Sequence, residues 1–482
     1  MSQDHQNLSP STGDPTRGQS ARQFELRRQI PAESGYDVVV AGGGPAGTAA
    51  AISAARLGRK VLLLEATGCL GGMGTSAMVS AWSNTSTGKG PVIGGLIREW
   101  IETLHRRGEL PPKVDPDYWN LKWNCGFGFN AEGLKRLLDE QCAGAGVEVR
   151  FYTRVVEAEA DRAAGRLEGV VTHDIEGLKF VRSRCFIDAT GDAVLAHLVG
   201  ADCWQAGRDT PGIMPPTLCS TIAGVDFSKF DYQDQQDAKD RALADGFFSQ
   251  PDRHVPGLFR TGATTGILNA GHLFHTDALA VDSLSRGMVW GRELAREYTE
   301  WLRRYLDGCE EAELMVSGSL LGVRESRRVR GEYTVGYEDY QARRHFPDQI
   351  AIYCKQVDIH VYDLSEEEYQ RYYREFHEAD LLQPGESYGL PYGILVPRGW
   401  SNLWTAGRCS SSDVKVNGAI RDQPGCAMLG EAAGAAAAQS IATGQPANDL
   451  DTEALVATLR TQGANLPQAQ TGKTMTRSAV PA

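Results

Sequence analysis

The stretch Tyr36 to Glu65, YDVVVAGGGPAGTAAAISAARLGRKVLLLE, constrains the fold more than any other part of the chain. Its three consecutive valines, Val38 to Val40, suit a strand buried on both faces, as in a parallel sheet. Gly42, Gly44 and Gly47 form G-x-G-x-x-G directly after that strand, at the opening of an alanine-rich helix. In this context the pattern reads as a dinucleotide-binding fingerprint. The first glycine permits a tight turn, the second lets backbone approach a pyrophosphate, and the third lets helix and strand pack closely. Pro45 and Ala46 open the helix, where a proline costs nothing because that N–H has no helical partner. The helix N-terminus offers its free N–H groups and positive dipole end to phosphates. Glu65, with Ala66 beside it, ends the second strand about 20 residues on, where an acid can bind ribose hydroxyls. The unit is a nucleotide site on an α/β sheet.

Length and composition narrow the rest. A chain of 482 residues holds a large core and more than one domain. A formal net charge of −12 argues against nucleic acid or an acidic membrane surface as the partner, leaving a small-molecule substrate. Ten cysteines without any C-x-x-C show neither a zinc site nor a dithiol motif, so no metal is expected. Unpatterned cysteines in a chain of this size read as reduced thiols, and the location expected is cytoplasmic. No apolar run approaches the roughly 18 residues of a membrane span, and the N-terminus lacks a signal-peptide core.

Along the chain, residues 1–34 are polar and expected to be disordered. Residues 35–225 read as the first part of the nucleotide-binding domain. Within it, GCLGGMGTSAMVS (Gly68–Ser80) suggests backbone passing a ligand, and residues 94–107 and 131–143 have helical spacing. From Val147 the pattern becomes a short antiparallel meander, ending in the buried strand FIDATGD at the sheet edge where ligands bind. Residues 226–385 are richer in charge and aromatics and are expected to form an inserted α+β substrate or cap domain. It has helices at 284–307 and 365–379 and strands around 314–335 and 350–361. The first domain is expected to resume over 386–466, with a glycine- and alanine-rich helix near its end. A polar tail, 467–482, finishes the chain.

Taken together, the motifs VVVAGGGPAGTAAA, LLLEATGCLGGMGT, FIDATGDAVLA, GVRESRRVRGEY, VDIHVYD, LPYGILVP, NLWTAGRCSSSD and AIRDQPGCAMLGEAAGAAAA resemble a family of FAD-dependent oxidoreductases. That family belongs to the wider class that includes glutathione reductase and the fumarate reductase flavoprotein. The resemblance spans roughly residues 36 to 466 and implies a Rossmann-type FAD-binding domain with a β-meander. It implies that Gly42, Gly44, Pro45, Ala46 and Gly47 hold the pyrophosphate, and that Glu65 and Ala66 hold the adenosine ribose. Gly71, Gly72 and Met73 would line the path to the flavin, and Val155 would meet the adenine through its backbone. Thr190, Gly191 and Gly407 would approach the cofactor, with Arg408 where many relatives have an acid near the ribitol. The helix near Gly425 would aim its positive end at the flavin. Cys69 and Cys409 lie near these loops, but nothing marks a covalent link, so the FAD is expected to be non-covalent.

The missing second glycine fingerprint argues against an NAD(P)H domain, and the missing cysteine pair against disulfide reduction. No halogenase-like WxWxIP is present. The expectation is hydride transfer from a small polar, possibly carboxylated, substrate, with reoxidation by oxygen, a quinone or another carrier. The alternative is a lyase or isomerase with transient or non-redox use of the flavin.

For catalysis, Arg421 immediately precedes the glycine-rich helix, where the fumarate reductase class places an arginine acting on a carboxylate. Pairing with Asp422 or a backbone carbonyl is its structural alternative. Under strand alternation Arg324 shares a face with Arg328 and Arg330, while Arg327 points away. That face would bind an anion, or pair with Glu325 and Glu332. Asp358 and His360 fall on one face of a strand, which makes His360 a base oriented by a carboxylate, or a buried, satisfied histidine. His272 and His275 read as loop residues, and Tyr392 as packing or pocket lining.

Overall fold

In the computed structural model, residues 25–377 and 381–467 are described; most of the expected N-terminal disorder and the polar tail lie outside them. Strand β1 (Ala32–Ala41) leads through the glycine turn into helix α1 (Pro45–Arg56) and strand β2 (Val61–Leu64). β1 begins inside the stretch expected to be disordered, because Ala32 and Glu33 find partners in Phe180 and Val181. Helices α2 (Gly95–Arg106) and α3 (Ala131–Ala145) follow, each with its apolar stripe buried, as the 3.6-residue spacing predicts. β3 (Glu148–Arg150) adds the outer strand beside β2. The meander is β4 (Arg154–Asp161), β5 (Arg166–Asp174) and β6 (Gly177–Asp188).

The chain then leaves this sheet. β7 (Ser220–Ala223), β8 (Gly257–Arg260), β9 (Gly266–Asn269) and β10 (Glu313–Ser317) form a four-stranded antiparallel sheet in the order β8-β9-β7-β10. Helices α4 (Asp234–Ala244) and α5 (Val281–Tyr305) join its own apolar cluster, through Ala238, Tyr298, Trp301 and Leu302. That cluster runs from Leu218 to Leu321. Val335, Tyr340 and Ile350–Cys354 instead pack into the cluster around α1. The expected strand through GVRESRRVR shrinks to β11 (Arg327–Val329). The strand expected over 350–361 ends early: β12 (Gln349–Tyr353) pairs with β13 (Tyr388–Pro391), and no strand neighbours Lys355–His360. The second expected helix begins as α6 (Glu366–Tyr372) and continues as a turn of π-helix.

β14 (Leu403–Thr405) returns to the first sheet, parallel to the end of β6. The finished seven-stranded sheet has the order β3-β2-β1-β6-β5-β4, with β14 also on β6. Its β3, β2, β1, β6 and β14 pairs are parallel, and only the meander is antiparallel. Val38, Val39 and Val40 are fully buried at its centre.

Helices α7 (Val414–Ile420), α8 (Gln423–Thr443) and α9 (Thr452–Thr461) complete the chain. α8 is buried on nearly every side and lies directly on α1. A Cβ at Gly430 would run into the Ala46 carbonyl, and one at Gly434 into the Ala50 carbonyl. Small residues thus bring two helix backbones into contact, and each glycine's entropic cost is offset by close packing.

One charged group sits on α8 between those two glycines, turned toward α2. Glu431 is 4% exposed, and its Oε2 accepts the Leu96 N–H at the start of α2 at 3.0 Å. Burial raises its pKa to about 7, only partly countered by that hydrogen bond and by Arg56. An acid whose folded pKa lies above its unfolded value of about 4.3 destabilises the fold as pH rises between the two values. Glu431→Gln keeps the acceptor and removes the charge. It is expected to stabilise the protein at pH 8 by on the order of 2 kcal/mol and to do little at pH 4, measured by denaturant unfolding at both pH values.

Candidate functional site

The C-terminal ends of β1, β6 and β14 carry the glycine turn, the Ala189-Thr190-Gly191 turn and the Gly407 loop. Gly42 has φ +97°, and a Cβ there would meet the Ala189 carbonyl oxygen at 2.6 Å. A Cβ at Gly47 would run into the Gly42 carbonyl. These two glycines are required by the protein's own packing. Gly44 differs: nothing lies within 4 Å of where its Cβ would be. No side chain caps α1, whose first turn starts at this open space. A side-chain-free backbone beside an uncapped helix N-terminus suits a pyrophosphate, so the residues present fit a dinucleotide. Gly71 donates its N–H to Gly43 O at 2.8 Å and carries Gly72 alongside Gly44, with Met73 half-buried after it.

Glu65 has a further task. Its Oε2 accepts the Gly43 N–H at 2.7 Å, and its Oε1 accepts both the N–H and Oγ1–H of Thr67 at 2.7 Å. The carboxylate therefore also braces the glycine turn, and Ala66 beside it is half-buried. In the second turn, buried Asp188 accepts the Thr190 N–H at 3.0 Å, its hydroxyl at 2.7 Å and the Ala196 N–H at 2.9 Å. Val155 is half-buried on β4, paired with Thr172 of β5. Gly407 has φ +87° and stands against Ala46, and Gly425 is buried at the start of α8, against the Ile420 carbonyl.

Arg408 follows Gly407 in this loop, and its side chain is already committed. Nε donates to Gly191 O at 2.9 Å, one terminal nitrogen pairs with Asp192 Oδ1 at 2.5 Å, and the other donates to Val323 O. It ties the Thr190-Gly191 turn to the segment before β11. Cys409 is fully buried, and burial pushes its thiol well above the usual range.

A second constellation gathers at the start of α8. Asp358 and His360 come close, with His360 Nε2 3.5 Å from Asp358 Oδ1, but from an extended segment outside any strand. The segment presses against α7 so tightly that a Cβ at Gly418 would lie 2.8 Å from the Asp358 carbonyl. One terminal nitrogen of Arg421 donates to Asp358 O at 3.0 Å and contacts its Oδ2 at 3.4 Å. Asp422 pairs instead with Lys355 at 3.5 Å. Arg421 Nε is buried and has no hydrogen-bond partner.

Arg324, Arg328 and Arg330 do not share the face that strand alternation predicts. Arg324 lies before the strand, buried, donating to Pro215 O at 2.5 Å and Thr217 Oγ1 at 3.0 Å. Burial lowers its pKa to about 10, with Arg421 acting in the same direction. Arg328 forms a buried pair with Glu325 at 3.3 Å, and Arg330 turns outward onto the Trp204 ring. Arg324 and Arg421 are therefore the two that act on this cluster.

His360 meets a residue that sequence reasoning had set aside. His272 Nε2 and His360 Nδ1 are 2.9 Å apart, and His272 Nδ1 stands 3.0 Å from Asp252 Oδ2. His254 packs its ring on His272, and the nitrogens of all three histidines lie within 4.8 Å of one another, a donor set that could hold a metal. Burial above all keeps the three imidazoles neutral. It lowers His254 to about 3 and His272 below its usual value, and with Arg324 it pushes His360 well down. Burial alone would raise Asp358, but Lys355, Arg421 and Arg324 outweigh it and keep the carboxylate charged. His254, His272 and Asp252 come from irregular segments with no periodicity to mark them, and His272 meets His360 across 88 residues of chain. His275 takes a left-handed turn conformation, and Tyr392 belongs to the core, its hydroxyl donating to Ala447 O at 2.8 Å.

A family model described as FAD dependent oxidoreductase matches residues 37–459. The chain belongs to this family. The protein is a flavin enzyme, and FAD is its cofactor. A digeranylgeranylglycerophospholipid reductase from Methanothermobacter thermautotrophicus is 30% identical over 202 residues, 40% of this chain and 48% of that protein. A dihydrolipoyl dehydrogenase from Trypanosoma brucei brucei is 56% identical over 47 residues, 10% of each chain. The alignments thus take in less than half of either relative. A geranylgeranyl bacteriochlorophyll reductase-like protein of Thermoplasma acidophilum superposes with a TM-score of 0.45 at 13% identity, over 89% of this chain and 84% of that one. Among the described residues no helix is long and apolar enough to cross a membrane.

Arg408→Ala removes three bonds from a nearly buried guanidinium and leaves Gly191 O and Val323 O without that donor. The expected loss is about 2 kcal/mol in denaturant unfolding, as for other charged hydrogen bonds.

Proposed function

We propose that this flavoenzyme oxidises a small carboxylated substrate at the start of α8, with non-covalent FAD lying along the sheet edge. In this reading Gly42, Gly44, Pro45, Ala46 and Gly47 cradle the pyrophosphate. Glu65 and Ala66 meet the ribose and Val155 the adenine. Gly71, Gly72, Met73, Thr190, Gly191, Gly407 and the backbone of Arg408 line the way to the flavin. Gly425 stands in the first turn of α8, whose positive end favours negative charge beside it. FAD held by these residues would supply the hydride acceptor, with oxygen, a quinone or another carrier as the final electron acceptor.

The observation that carries the reading is Arg421 Nε, a buried donor with no partner beside a second buried arginine. A buried unpaired donor is costly, and a carboxylate is the acceptor whose charge and planar geometry suit a guanidinium. Arg324, fixed through one terminal nitrogen, turns the same region positive. Asp358 holds Arg421 in place. His360, neutral through burial, has the protonation state of a base for the proton the substrate gives up.

Two experiments bear on the two halves of this proposal. Gly44→Val and Gly144→Val each place a side chain in open space. Both proteins should show wild-type far-ultraviolet circular dichroism, but only Gly44→Val should fall below about a tenth of wild-type FAD content, because a side chain there displaces the pyrophosphate. For the substrate, anaerobic mixing with hydroxy acids, amino acids, sugars and amines should bleach the flavin only with carboxylated compounds. Arg421→Ala should slow bleaching at low substrate by roughly 10–100-fold, the worth of a charged hydrogen bond. Bleaching by uncharged sugars or amines alone, or turnover with an unchanged flavin spectrum, overturns the carboxylate reading.

A further inference from the structure

The tautomers that the buried histidines must adopt point to a proton relay reaching His360 from the far side of the site. Asp252 is 1% exposed and His272 2% exposed. Asp252 Oδ1 is occupied, accepting the His254 N–H at 3.0 Å and the Tyr369 hydroxyl at 3.3 Å. Its Oδ2 and His272 Nδ1 stand 3.0 Å apart as a buried charge contact, and neither atom has a hydrogen-bond partner elsewhere or a well-aligned hydrogen bond to the other. Burial opposes charge on Asp252, but the hydrogen bonds it accepts from the His254 backbone N–H and the Tyr369 hydroxyl, with His272 beside it, favour the carboxylate and hold it well below its usual range. A charged carboxylate there requires the proton of His272 to sit on Nδ1. His272 Nε2 is then a lone pair, and the 2.9 Å contact with His360 Nδ1 is a hydrogen bond only if His360 carries its proton on Nδ1. That leaves His360 Nε2 as a lone pair, 3.5 Å from Asp358 Oδ1 and without a hydrogen bond to it, while Asp358 contacts Arg421.

We propose that Asp252 and His272 are positioning residues which fix the tautomer of His360, so that its Nε2 takes the hydroxyl proton of a hydroxy acid whose carboxylate lies on Arg421. This rests on the proposed function and narrows its substrate to a carboxylate with an oxidisable hydroxyl. The O–H bond of the substrate breaks and an N–H bond forms at His360 Nε2. The electron pair of the adjacent C–H bond leaves as hydride to the family's flavin, and the carbon becomes a carbonyl. The imidazolium so formed shares its Nδ1–H with His272, which Asp252 steadies in turn. Arg324, Arg421, His254 and His272 all disfavour that imidazolium, and Asp358 and Asp252 favour it. The same arginine charges count against a cation bound among the three histidines.

Asp252→Asn tests the relay because an asparagine can reverse it. With its amide N–H toward His272 Nδ1, the His272 proton moves to Nε2 and donates to His360 Nδ1. His360 must then carry its own proton on Nε2, where it cannot act as a base. With glycolate, lactate and malate as probes, anaerobic flavin bleaching in the holoenzyme should lose roughly 100-fold or more in limiting rate at pH 7, the scale of general-base catalysis. The half-saturating concentration and FAD content should stay within about twofold of wild type, since no substrate or cofactor contact changes. Asp252→Glu, which keeps the carboxylate, should recover part of the rate. Independently of any substrate, proton NMR of the resting holoenzyme should show a His272 Nδ1–H resonance downfield of the amide region, absent in Asp252→Asn.

Equal rates in the Asn and Glu variants, a change confined to the half-saturating concentration, or no downfield resonance in the wild type would each overturn the relay. So would stoichiometric binding of added Zn²⁺ that His254→Gln abolishes, which would assign the histidines to a metal. If none of the three probes bleaches the flavin while the resonance behaves as described, the relay stands and the hydroxy-acid assignment falls.

Discussion

The structure depends on the contact between α1 and α8, where Gly430 and Gly434 let one helix rest on the backbone carbonyls of Ala46 and Ala50. Because the two helices touch through backbone, their N-terminal ends are held in fixed relation across the sheet edge. One end begins at the glycine turn, the other beside Arg421. The distance between the glycine turn and the Arg421 cluster is thereby set by packing rather than by loops. Interiors at crystal-like density tolerate little change at such a contact, which is why residues 430–438 are alanine and glycine except for Glu431. The Glu431 carboxyl is held instead at the open N-terminus of α2.

Around the second helix end the dominant force is desolvation. Arg324 is buried beside another cation, and three imidazoles are held neutral. Such an arrangement is expensive in isolation and settles only when an anion is present, either Asp358 or a ligand. Asp358 already serves Arg421 and Lys355, so a bound carboxylate would add the negative charge that the cluster lacks. The same desolvation keeps the imidazoles unprotonated and lowers their basicity, so a proton taken up by His360 would need the same compensating negative charge.

The glycine turn, the meander and the α/β class were legible in the sequence because each is a local pattern: a glycine spacing, a two-residue alternation, a 3.6-residue stripe. The second sheet was partly legible: α5 and the start of the expected strand at β10 follow from local spacing, whereas β7 to β9 and α4 are too short or too weakly patterned to read. Lys355–His360 was misread as a strand. Its alternation is genuine, but what it packs against is helix α7, through a bare Gly418, and no neighbouring strand completes a ladder. The arginines of GVRESRRVR misled for a related reason. Strand alternation holds for only Arg327–Val329, so Arg324 is placed by the Pro215 carbonyl and Thr217 instead. Asp252, His254 and His272 lay beyond pattern reading altogether, because two irregular segments meet a third only through tertiary packing. Arg408 shows a subtler failure: its position in the loop was legible, whereas its bonds to Gly191, Asp192 and Val323 were not.

If the edge of the sheet, from the glycine turn to α8, is shaped around FAD, the folded protein retains that cofactor. The most direct measurement is the FAD content of the purified, folded protein, from its visible absorbance set against protein concentration, before and after incubation with excess FAD. The structure predicts about one FAD per chain, released intact on unfolding as a non-covalent cofactor would be. A folded, colourless chain that takes up no FAD would contradict it.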